Sequence, residues 1–139
     1  MHASFEEKSV WVQLVCLLVA LGGYLVIAWR MMAAGVSELP AYAPLFVAAV
    51  VLLVVMLGVG HALALIGSRP EGRDERDRRI DWRAEHGSSW VLAAGVFASI
   101  TAMVLGVPNV WVAHTLLVSM MLSEVLGLVL KIRFYRLGV

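Results

Sequence analysis

Four stretches of at least about 20 residues are apolar and almost free of charge, long enough in helical form to cross a hydrocarbon core. They cover residues 9–29, 44–66, 87–107 and 109–130, and their one formal charge is Glu124; His61 and His114 are the imidazoles within them. The runs are continuous rather than alternating, so they predict helices and not barrel strands. Of the 139 residues 61% are hydrophobic and 15% charged, against about 45–50% and about 25% in soluble domains. The chain is therefore expected to be a single all-α domain, an integral membrane bundle of four helices.

The distribution of basic residues orients the spans. Lys8 precedes the first; Arg69, Arg73, Arg76, Arg78, Arg79 and Arg83 lie between the second and third; Lys131, Arg133 and Arg136 follow the fourth. Ten of the eleven basic residues thus fall on one side, and only Arg30 on the other. The positive-inside rule makes that side cytoplasmic, together with both termini and the charged segment 68–86, in a bacterial inner membrane. The opening residues, with Glu6 and Glu7 ahead of Lys8 and no small-residue cleavage motif, argue against a cleaved signal peptide, and Val15 ahead of Cys16 is too bulky for a lipoprotein box. Trp11, Trp90 and Phe134 at the inner boundary, with Trp29, Tyr42 and Trp111 at the outer one, fit interfacial aromatic belts.

Short links restrict the topology. Gly106-Val107-Pro108-Asn109 leaves room only for a turn, so the last two spans form a tight hairpin, while Ser37, Pro40 and Pro44 mark a longer outer link. An up-down-up-down bundle follows. Lipid gives apolar faces no reason to pair, so small residues must allow close approach. The expected stripes are Cys16, Ala20 and Gly23; Gly60, Ala64 and Ser68; Ala94, Ala98 and Ala102; and Thr115, Ser119, Ser123 and Gly127.

Segment 68–86 sets six arginines against six acids. In helical form it places Asp74 four residues before Arg78 and Glu75 four before Arg79, a favourable order for ion pairs. It reads as a charged helical collar running into the third span, with Ile80 and Ala84 on a face that rests on the membrane or on a partner. Asp74, Arg76, Asp77 and Arg79 are its candidate partner contacts. Asp77, Asp81 and Glu85 have a spacing suited to a divalent cation, but adjacent arginines already supply counter-charge, so no metal is expected. The same balance of charge argues against nucleic acid.

Several of these features together resemble an uncharacterised family of bacterial four-helix inner-membrane proteins: Asp74-Glu75-Arg76-Asp77 followed by Ile80 and Ala84, the opening Glu7-Lys8 and Trp11, Gly60-His61, and the ending Phe134-Tyr135-Arg136 with Gly138-Val139. The resemblance implies the fold and location, and a His and a carboxylate in the last span that correspond to His114 and Glu124. It transfers no activity. Relatives encoded beside small transcriptional regulators imply a signalling or regulatory role.

Glu124 carries the most functional weight, because a carboxylate within a span costs a few kcal/mol on insertion scales. It lies seven residues before Lys131; His61 lies eight before Arg69 and Cys16 eight after Lys8, so all three fall about 10–12 Å from the inner boundary at 1.5 Å per residue. If their faces turn inward they form one polar chamber, in which Glu124 and His61 meet and share a proton. His114 lies about 15 Å farther out and about 80° around the helix from Glu124. His61 and His114 fall in opposite halves, so one haem cannot bridge them and no cofactor is expected. Structural histidines and a structural Glu124 remain the plain alternatives. No nucleophile and base combination suggests an enzyme. The leading expectation is a non-enzymatic binding, regulatory or accessory protein acting as a homodimer, with lipid as its surroundings and a protein partner at the collar. The second is a minimal proton- or ion-coupled transporter using Glu124 and His61.

Overall fold

A computed structural model describes residues 5–66 and 75–137. Among them the chain forms α1 (Phe5–Ala33), a 3-10 turn (Leu39–Tyr42), α2 (Ala43–Ile66), α3 (Glu75–Val104) and α4 (Asn109–Leu137), with no strand. Each of the four α-helices is long and apolar enough to cross a membrane. The all-α expectation therefore holds, and the charged segment from Glu75 onward is, as the collar reading expects, the first part of α3, continuous with the apolar part.

Both tight links use glycine for the same reason. At the end of α1 the Val36 N–H donates to the Met31 carbonyl and Gly35 N–H to that of Met32, with Gly35 at φ 86°. At the end of α3 Val107 N–H reaches the Ala102 carbonyl and Gly106 N–H that of Met103, with Gly106 at φ 74°. These pairs satisfy carbonyls the helix leaves open, and the left-handed residue that closes them is cheapest as glycine. Pro40 starts the 3-10 turn, and the Tyr42 hydroxyl donates to the Val36 carbonyl at 2.7 Å. Tyr42 is thus buried at 2% exposure, not set in an outer aromatic belt. Trp29, Trp82 and Trp90 stay largely exposed.

The helices form a row rather than a closed ring. α1 packs on α2 and on α4, and α4 packs on α3, whereas α2 and α3 share no extended seam among the described residues. Cross-helix pairs fix the directions: Ser9 meets His61, Tyr24 meets both Phe46 and His114, and Ser88 meets Ser123, so each packed pair is antiparallel. Buried apolar residues gather at the two ends. Tyr24, Ala28, Tyr42, Ala49 and Val110 form the cluster at the end holding the short links, and Val10, Leu14, Leu128 and Ile132 the one at the collar end.

Small residues do permit the close approaches, though not always the expected ones. A Cβ on Gly60 would overlap Val12, and one on Gly95 would overlap the Ser119 side chain, so these two glycines set the α1–α2 and α3–α4 spacings. Ser119, Ser123 and Gly127 face the seam as expected, but Thr115 is exposed. On α3 the expected stripe is corrected: Ala94 and Ala98 are exposed, while Ser88 and Ser99 are buried beside Gly95. Gly23 is exposed with nothing near it, and Ser68 lies outside the described residues.

Candidate functional site: a polar groove on the inner part of the bundle

Two histidines read as site candidates have their ring nitrogens engaged within the chain. The His114 Nδ1 lies 2.6 Å from the Val110 carbonyl and its Nε2 3.0 Å from the Tyr24 hydroxyl. A carbonyl only accepts, so Nδ1 carries the proton; in the neutral ring Nε2 then accepts from the tyrosine. Tyr24 stacks on the same ring at 5.8 Å and Tyr42 meets it edge-on at 5.0 Å, which completes a buried aromatic knot joining α1, α4 and the outer link. His61 repeats the pattern, with Nδ1 2.8 Å from the Leu57 carbonyl and Nε2 2.9 Å from the Ser9 hydroxyl. Each imidazole thus spends one nitrogen on its own helix and the other on α1.

The single chamber expected around Glu124, His61 and Cys16 is consequently divided. His61 belongs to the α1–α2 seam. Cys16 is buried and lines an apolar groove of about 520 Å³ on the same pair of helices, with Trp11, Val15, Met56 and Gly60. Glu124, itself exposed, lines a different groove, one of about 290 Å³ bounded by α1, α3 and α4. Nor is the expected common depth kept: His61 is level with Ser9, seven residues or about 10 Å along α1 from Cys16, and rotation about each axis turns the three side chains in different directions.

The Glu124 groove is polar. Gln13 enters from α1, Glu85, Ser88 and Ser89 from α3, and Ser123 and Lys131 from α4. Its hydroxyls are already donors: Ser123 to the Ser88 carbonyl at 3.0 Å, Ser88 to the Glu85 carbonyl at 3.3 Å, and Ser89 to that of His86 at 3.2 Å. They therefore offer lone pairs to the groove. Lys131 is held by Asp81 at 3.0 Å, with Glu85 at 3.9 Å. Glu124 makes no hydrogen bond or ion pair with any described residue, although it stands in the apolar part of α4. Gln13, Ser88, Ser89 and Lys131 were not singled out from sequence; the signal that finds them is their helical register with Glu124 across antiparallel seams, which needs the rotation of each helix.

The collar is mostly used within the chain. Ile80 and Ala84 are buried at 1% and 0% exposure, so they rest on the bundle and not on a membrane or partner. Asp77 accepts a hydrogen bond from Tyr135, Asp81 holds Lys131, and Arg136 reaches Glu7 at 3.4 Å while its guanidinium lies 5.6 Å from the centre of the Trp11 ring. The expected pair Glu75–Arg79 forms at 3.7 Å, fully on the surface. Arg76 and Arg79 are exposed; Asp74, and with it the Asp74–Arg78 pair, lies outside the described residues. The chain matches no family model, no curated protein and no solved structure.

Proposed function

We propose that the chain is a non-enzymatic, multi-pass protein of a bacterial inner membrane whose polar groove binds a ligand in a regulatory or accessory role. The carrying observation is Glu124, a carboxylate in the apolar part of α4 that no described side chain compensates, opening on a groove of polar atoms. A charged group kept at such depth without a structural partner has no packing function to justify its cost. Orientation with both termini and the collar in the cytoplasm rests on the ten basic residues gathered at one side of the spans. The exposed Arg76 and Arg79 provide a surface for a protein partner there, and the chain acts as a homodimer.

Native mass spectrometry of the protein extracted gently into nanodiscs tests the reading. The wild type is expected to retain a non-protein mass that Glu124→Gln and Ser88→Leu both release. Apo masses alone for wild type and variants, from preparations with intact helical content, would overturn it.

A further inference from the structure

Glu124 stands where the polar groove approaches a second cavity. One turn along α4, Met120 lines a groove of about 520 Å³ that occupies the gap between α2 and α3, with Phe46 and Leu92 as walls and Tyr24 and His114 beneath. Leu92 lines both cavities, so the two are neighbours along one trough. The trough is polar at its collar end and apolar beyond. Along α4 it extends from Glu124 to Ala113, eleven residues or about 16 Å, which is roughly half of a hydrocarbon core about 30 Å thick.

Its charges are unequal. The Lys131 ammonium is occupied by Asp81 and Glu85, the serine hydroxyls are committed as donors, and Glu124 is left uncompensated. What remains on offer is an anion, acceptor oxygens and a long apolar slot. The complement is a cation carried on an apolar chain. An aminophospholipid sets an anionic phosphate directly behind its ammonium, and no Lys or Arg lines the slot past Glu124 to receive it. A single-chain amine needs no phosphate and no second tail to be placed.

We infer that the trough binds an amphiphilic primary amine, its ammonium against the Glu124 carboxylate and its chain along Leu92 and Met120 toward Phe46 and Tyr24. The inference rests on the reading of the groove as a ligand site and adds the class of ligand. Dodecylammonium, 1-dodecanol and dodecanoate serve as probes of equal chain length, with binding to nanodisc-held protein measured by calorimetry above that to empty nanodiscs. Wild type is expected to bind dodecylammonium at least tenfold more tightly than dodecanol. Glu124→Gln, which removes no bond within the chain, should reduce the ammonium to the level of the alcohol, and Met120→Trp should weaken both by filling the slot. A preference that survives Glu124→Gln, or equal binding of all three probes, overturns the amine assignment while leaving the groove a ligand site. Failure of every probe to bind folded wild type, together with no retained mass in the native spectrum, overturns both.

Discussion

At the scale of single residues, the two imidazoles act as struts between helices, and removing a partner exposes this. Tyr24→Phe keeps the ring stack on His114 but leaves a buried ring nitrogen without its donor, a loss of about 1–3 kcal/mol. Thermal unfolding in detergent should fall accordingly, and Tyr24→Phe combined with His114→Phe should recover part of the loss by removing the stranded acceptor. Glycines divide by what surrounds them. Gly95→Ala should destabilise by about 1–3 kcal/mol because its methyl overlaps the near end of Ser119 rather than a flexible tip. Gly23→Ala has open space around it and should stabilise by up to about 1 kcal/mol through helix propensity. Opposite signs in one unfolding assay check the seam; equal signs would refute it.

At the scale of elements, α3 is two things in one helix: an apolar span and a charged extension laid along the end of α4. Ile80 and Ala84 bury the apolar face of the extension while Lys131, Asp81 and the Tyr135–Asp77 contact close its polar edge. Lys131→Met should therefore loosen the extension without unfolding the bundle. A loss of about 1 kcal/mol would appear as roughly fivefold faster amide exchange over residues 75–86, with residues 90–100 unchanged; equal exchange in both variants would show that the pair contributes nothing. The existence and rough limits of the helices were legible because a span has no substitute for apolar length. Rotation was legible only in part. α3 carries small residues on two faces, Ala94 and Ala98 on one, Ser88, Gly95 and Ser99 on the other, and size alone does not say which meets α4. Likewise the depth of Glu124 can be counted from Lys131, but neither its direction nor the stagger of α2 against α1 can, and His61 lies level with Ser9 instead of beside it. Tyr42 has the position of an interfacial anchor, and only the path of the link shows its hydroxyl turned inward to Val36.

At the scale of the whole molecule, the row α2–α1–α4–α3 leaves a gap where a closed bundle would have its fourth seam. That gap holds the apolar half of the trough, and the polar half opens at the collar end. The central claim is that this arrangement crosses a membrane four times with the Glu124 groove reached from the cytoplasmic side. Thiol labelling in right-side-out and inverted vesicles tests it directly, on a Cys16→Ala background so that each added cysteine is unique. Ser37→Cys should react with an impermeant reagent only in right-side-out vesicles, and Arg79→Cys and the groove position Ser89→Cys only in inverted ones. Labelling of Ser37→Cys and Arg79→Cys from the same side, or of Ser89→Cys from the outside, would contradict the account.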